Sequence, residues 1–141
     1  MTNNPFLKVE ITINKPVDLV WECWTNPADI MLRNVPFPNW HSPKVENDVR
    51  LGGLFSFRME AIDGSEGFDH VGKYDKVIKN QLIEYTVSDN RKSRIEFVAN
   101  GNTTSLTETF EPEKETPIDL QRDFCESVLL NFKQHVESKL L

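Results

Sequence analysis

The chain has 141 residues, with 22 Asp and Glu against 16 Lys and Arg, and a formal net charge of −6. Its length suits one domain over residues 1–141, and its 38% hydrophobic and 27% charged fractions are those of a globular protein, not a disordered one. The acidic balance argues against a nucleic-acid backbone as main partner, and no run approaches the roughly 18 uncharged residues of a membrane span.

The opening MTNNPFLKVEITIN lacks a basic stretch followed by an apolar run, so it does not read as a signal peptide. Alternation over residues 6–14 predicts a half-buried strand. Pro16 then suits the first turn of a helix, on which Val17, Val20, Trp21 and Trp24 share one face. Pro27 starts a second short helix through about Leu32. Residues 33–53 read as irregular, broken by Pro36, Pro38, Pro43, Gly52 and Gly53, with a short strand from Val45 to Leu51. A strand from Leu54 to Ile62 places Phe55, Phe57, Met59 and Ala61 on one face, and Asp63 to Gly67 forms a hairpin turn. Further strands at about 68–78, 82–88, 93–99 and 103–111 are separated by short polar loops, as in an antiparallel meander.

A long helix closes the chain. Thr116, Pro117 and Asp119 read as N-cap, first helical residue and capping-box acid. Phe124, Val128, Phe132, Val136 and Leu140 recur every four residues, flanked by Cys125 and Leu129. Such a helix, about 33 Å long at 1.5 Å per residue, crosses a whole sheet. The expectation is an α+β helix-grip fold, a curved antiparallel sheet of about six to seven strands around a long C-terminal helix, with two short helices after the first strand.

That order, together with several segments, resembles the START-like superfamily, and within it the activator-of-heat-shock-protein-90-ATPase family in its bacterial single-domain form. The segments are Trp40-His41-Ser42-Pro43-Lys44-Val45-Glu46-Asn47-Asp48-Val49-Arg50 with Gly52-Gly53, Phe55 to Ala61 with Asp63-Gly64-Ser65, Thr107 to Glu111, and Asn131-Phe132-Lys133. The match covers nearly the whole chain. At Phe124-Cys125 the chain departs from the Gly-Trp pair that the resemblance implies, which redistributes volume on the helix face above any cavity. Members range from chaperone co-factors to lipid and hormone carriers and cyclases, so the fold alone does not choose an activity.

No nucleophile elbow, phosphate loop, paired-histidine zinc motif or dinucleotide fingerprint occurs, and His41, His70 and His135 do not cluster. Neither a cofactor nor a metal is expected, and His135 falls on an exposed helix flank. The two cysteines, Cys23 and Cys125, read as buried thiols in a reducing cytoplasm. Glu108 shares a strand face with Leu106 and Phe110, which puts a carboxylate among apolar groups. It is either a cavity anchor or general acid–base group, or a residue turned outward by a bulge or paired with Arg94. His70 and Tyr74 share one parity of strand 68–78, but neither face of that strand is cleanly apolar, so its orientation stays open.

The aromatic residues form either a packed core or a cavity wall, and the resemblance favours a cavity. Its walls would be Trp24, Trp40, Phe57, Met59, Tyr85, Phe97, Phe110 and Phe124, with His70, Tyr74 and Glu108 as anchors and the Trp40 segment as gate. The leading expectation is a non-enzymatic module that binds a small, mostly apolar molecule. The resemblance also implies a co-factor of the heat-shock-protein-90 chaperone, and Glu108 or His70 leaves room for a cyclase or hydrolase. A homodimer through an exposed sheet edge or helix is compatible with the sequence.

Overall fold

A computed structural model describes residues 6–33 and 38–139. The elements run β1 (Leu7–Ile13), α1 (Val17–Thr25), α2 (Pro27–Arg33), β2 (Trp40–Asn47), β3 (Leu54–Ala61), β4 (Gly67–Ile78), β5 (Leu82–Val87), β6 (Lys92–Asn100), β7 (Thr103–Phe110) and α3 (Ile118–Glu137). The strands form one seven-stranded sheet in the order β1-β7-β6-β5-β4-β3-β2, with every neighbouring pair antiparallel. Strands β2 to β7 are thus a meander, and β1 returns to the free edge of β7. The expected α+β helix-grip architecture is present.

Strand alternation decides which face packs. Leu7, Val9 and Ile13 of β1 are buried while Lys8, Glu10 and Thr12 are exposed. Phe55, Phe57, Met59 and Ala61 of β3 are buried together, as are Ile95 and Phe97 of β6. Against this face lie α1, with Val20, Trp21 and Cys23 buried, and α3. The carboxy-terminal part of α3 reaches β1 and α2, Lys133 donating to the Thr12 carbonyl, Asn131 to the Leu32 carbonyl, and His135 lying against Asp29.

Several local expectations are corrected. The segment between α2 and β3 holds a longer and earlier strand than Val45–Leu51: β2 begins at Trp40 and pairs with β3 from Trp40–Ala61 to Asn47–Phe55. Pro43 hid it. The register shifts between His41 and Lys44, and a proline is tolerated there because β2 is a sheet edge and the irregularity removes the need for its missing N–H. Pro36, also named as a breaker, lies outside the described residues.

In β4 the register shifts between Tyr74 and Lys76, so inward positions change parity along the strand. Gly72 and Tyr74 are buried and His70 half-buried on one side of that shift, and Val77 turns to the core on the other. That is why neither parity of this strand reads as apolar.

The capping box does not form. Pro117 is the residue preceding α3, and it makes no side-chain cap. Instead Gln121 reaches back, its amide donating to the carbonyls of Glu113 (2.9 Å) and Thr116 (2.8 Å) while its carbonyl accepts from the Glu113 N–H (2.9 Å). On α3 the buried residues are Cys125, Leu129, Phe132 and Val136, not the strict four-residue series. A helix has 3.6 residues per turn, so a repeat of four drifts off any fixed face. Phe124 and Leu120 accordingly sit 38% and 57% exposed, and Leu140 lies outside the described residues.

His135 is not on an exposed flank. Its Nε2 lies 2.7 Å from Asp29 Oδ1, which also accepts from Lys139 Nζ at 3.1 Å, and this clamp ties α2 to the end of α3. Among the described residues no helix is long and apolar enough to cross a membrane.

Candidate functional site

The two halves of α3 behave differently. Leu129, Phe132 and Val136 are wholly enclosed, whereas Leu120, Gln121, Phe124, Cys125 and Val128 roof a cavity of about 540 Å³ above the sheet. The floor comes from β3, β4 and β5 through Phe55, Phe57, Met59, His70, Tyr74 and Tyr85. Glu108 and Phe110 of β7 form one side, and Trp24 of α1 and Arg33 of α2 another. The lining residues Phe68, Thr116, Leu120 and Phe124 are exposed, so the mouth lies between β4 and the start of α3.

Of the residues singled out from the sequence, Trp24, Phe57, Met59, His70, Tyr74, Tyr85, Glu108, Phe110 and Phe124 border this cavity. Two do not. Phe97 is committed to the core, its ring 5.1 Å from Trp21 and 6.3 Å from Trp24. Trp40 sits on the edge strand β2 with its ring 6.2 Å from Phe68, beside the mouth rather than in a gating loop.

Glu108 is inside. Its cross-strand partners are Val9 on β1 and Ile95 on β6, and both ladders run without a register break, so no bulge turns it outward. Nor does Arg94 reach it, since that guanidinium lies 2.9 Å from Glu84 and 3.5 Å from Glu96. Among the described residues the hydrogen-bond partner of the carboxyl is the Cys125 thiol, 3.5 Å from Oε1. Burial pushes the Glu108 carboxyl above the usual carboxylate range, opposed by the thiol contact and by the Arg33 charge. Cys125 is itself pushed up, by burial and then by the neighbouring carboxylate, which makes it an inert thiol and a weak donor.

Arg33 was not anticipated. A lone arginine at the end of a short helix reads as a solvated charge that suits the helix dipole, and nothing local marks it as buried. Here it is 5% exposed, with its guanidinium 3.9 Å over the Trp24 ring and Nη1 donating to the Trp24 carbonyl at 2.9 Å. Burial lowers its pKa to about 10, so it stays a cation at neutral pH. Phe55, which spacing alone leaves between core and wall, is central to the floor, its ring 5.0 Å from both Phe57 and Tyr85 and 5.4 Å from His70.

The other polar groups differ in how far they are already used. The Tyr74 hydroxyl donates to Asn47 Oδ1, and Asn47 in turn donates to the Thr25 carbonyl at 2.9 Å, so this phenol serves as a brace between sheet and α1. Burial raises Tyr74 to about 12 and holds Tyr85 above the usual phenol range as well, the latter also pushed by Glu108. His70 is lowered to about 4 by burial and by the Arg33 and Arg91 charges, and is therefore a neutral imidazole. The cavity lining thus carries two cations, Arg33 and Arg91, three acids, Glu108, Glu111 and Glu113, and a set of neutral polar rings; Arg33 is the buried cation, while Arg91 is paired with Asp89 at 2.7 Å. Among the described residues no group of three or more His, Cys, Asp or Glu could hold a metal ion.

Residues 14–137 match the family described as activator of Hsp90 ATPase homolog 1-like protein. The chain belongs to this family. Two solved relatives support the membership: an AHSA1-like protein from Aeromonas hydrophila, 30% identical over 94% of this chain and 93% of its own (TM-score 0.85), and a protein from Cytophaga hutchinsonii, 42% identical over 96% and 93% (TM-score 0.81). A Chromobacterium violaceum protein at 17% identity shares the fold with a TM-score of 0.84, over 95% of this chain and 99% of its own. A search among curated proteins returned no match. Membership in this START-like family accounts for the sheet and its long helix, and leaves the cavity chemistry to this chain's own residues.

Proposed function

We propose that this family member is a binding protein for a small, largely apolar molecule held between α3 and the sheet. The observation that carries the reading is the cavity of about 540 Å³, walled by aromatic side chains and furnished with a few polar groups. That size and lining are those of small-molecule sites, in which apolar walls supply affinity and a few polar groups fix orientation. Protein interiors pack at crystal-like density, so a void of this volume costs the fold packing contacts that a bound molecule would restore.

Native mass spectrometry and thermal-shift measurements against lipids, isoprenoids and polycyclic aromatics test the reading. Saturable one-to-one binding is expected, and Val128→Phe, which fills the roof, is expected to abolish it while circular dichroism stays unchanged. Absence of binding across the panel, or equal binding by the filled variant, overturns it.

The family match supports a second reading, stimulation of an Hsp90-type ATPase. Chaperone turnover measured with and without saturating protein decides that, and an unchanged rate rules it out.

A further inference from the structure

Glu108 poses a physical problem that the apolar character of the cavity does not answer. An ionised carboxyl accepts up to about four hydrogen bonds, and a buried one without strong donors costs stability. Glu108 is held inward by unbroken ladders on both sides, and the thiol that contacts it is a poor donor at 3.5 Å. Outer-face alternatives were within reach of the fold: on the same strand, Thr107 faces the other way and accommodates Glu10 at 3.0 Å. The acid is therefore aimed into the cavity with acceptor capacity to spare.

Arg33 borders the same cavity, and it constrains what can meet that acceptor. A ligand ammonium would satisfy Glu108 but would share the cavity with a fixed, buried guanidinium. A ligand carboxylate would face the opposite difficulty, since it would bring a second negative charge beside Glu108. In a low-dielectric site, either like-charge approach is unfavourable. A hydroxyl avoids both. Its hydrogen is donated to the carboxylate, and its oxygen lone pairs remain tolerable to the cation.

Aromatic surfaces set the rest of the ligand. The rings of Trp24, Phe57, Tyr85 and Phe110 line the same cavity as Glu108, and ring faces and edges are best covered by another flat ring. We infer that the cavity selects neutral ring compounds carrying a hydroxyl group, an alcohol or phenol, with Glu108 as the acceptor that recognises the hydroxyl hydrogen. This rests on the binding reading above and narrows it to a ligand class.

The test uses three probes of one shape, 2-naphthol, 2-methylnaphthalene and 2-naphthoate, titrated into the full-length protein near neutral pH by calorimetry. The wild type is expected to favour 2-naphthol, and the ratio of its affinity to that of 2-methylnaphthalene is expected to fall about tenfold in Glu108→Leu, the size of one lost charge-assisted hydrogen bond. Glu108→Gln, which preserves volume and keeps a weaker acceptor, is expected to fall between the two. An unchanged ratio in both variants overturns the assignment of Glu108. Tightest binding of 2-naphthoate overturns the neutral class and makes Arg33 the anchor. If none of the three binds while a lipid or isoprenoid of the panel above does, the hydroxylated-ring class is overturned and the cavity reading stands; if nothing in either set binds, both fall.

Discussion

Phe132 of α3 meets Trp24 of α1 edge-on, with ring centroids 5.0 Å apart and planes at 88°. Phe132 is fully buried there, while Trp24 also borders the cavity, so this pair marks the point where solid core gives way to open space. Toward the carboxy terminus α3 is bolted down by Phe132, Val136 and the Asp29 clamp. Toward its amino terminus it stands over the sheet.

That division predicts unequal costs for two phenylalanines eight residues apart on one helix. Phe132→Ala removes a ring from a filled site and should destabilise by about 3–5 kcal/mol. Phe124→Ala, at a position 38% exposed at the mouth, should cost about 1 kcal/mol yet weaken binding of any cavity probe. Urea denaturation with a paired binding titration checks both. Similar stability losses for the two variants would contradict the division.

A second prediction concerns Gly72, which pairs across strands with Phe55. A Cβ at this position would lie 2.5 Å from Phe55 Cε2 and 2.9 Å from the Thr86 carbonyl oxygen. The backbone oxygen cannot yield, so the Phe55 ring must move into the cavity. Gly72→Ala should therefore lose about 1–3 kcal/mol by overpacking and also reduce probe binding. Normal binding at reduced stability would show that Phe55 relaxes elsewhere.

What the sequence discloses follows from the range of the interactions involved. Strand alternation and helix periodicity are local, so Phe57 and Met59 could be placed on the inner face from spacing alone, and the meander followed from short polar loops. Glu108 stays open between an inward carboxylate and one turned outward by a bulge until the unbroken ladders on both sides decide it. Trp40 could not be placed, because its strand is made by pairing with β3 across a proline that breaks any local pattern. Arg33, which no local signal singles out, and His135, expected on an exposed flank, fail for the same reason from the opposite side. Each looks solvated along its own helix, and each is covered by another element, Arg33 by Trp24 of the preceding helix and by the cavity wall, His135, half-buried, by Asp29 of α2. His70 was ambiguous because a one-residue register shift further along β4 scrambled the parity that would have oriented it.

A third prediction takes Glu108 as a stability element. Its folded carboxyl holds its proton more tightly than the unfolded chain does, so it favours the fold at low pH. As pH rises past the ordinary value of 4.5, the unfolded chain ionises first and the wild type loses that advantage. Glu108→Gln removes the titration and should be more stable than wild type at pH 7 by about 1 kcal/mol, with the gain vanishing below the ordinary carboxyl range. Chemical denaturation at pH 4 and pH 7 tests this, and a Gln variant less stable at pH 7 would mean that the carboxylate has stronger support than the Cys125 thiol.

His70 predicts the opposite slope. Its imidazole is held at about 4 against an ordinary 6.5, by burial first and then by Arg33 and Arg91, with Asp89 opposing them. The ring is packed among Phe55, Phe57 and Tyr85, and Glu108 lines the same cavity. Between those two pH values the unfolded chain binds the proton and the folded one does not, so stability is complete above pH 6.5 and falls as pH drops toward 4. At about 1.4 kcal/mol per pH unit the loss approaches about 3 kcal/mol. His70→Phe should flatten this part of the stability profile while Glu108→Gln steepens it, because Glu108 offsets the histidine over part of the same range. A profile left unchanged by His70→Phe would show that the imidazole titrates alike in the folded and unfolded chain, and that burial among these rings does not hold it neutral.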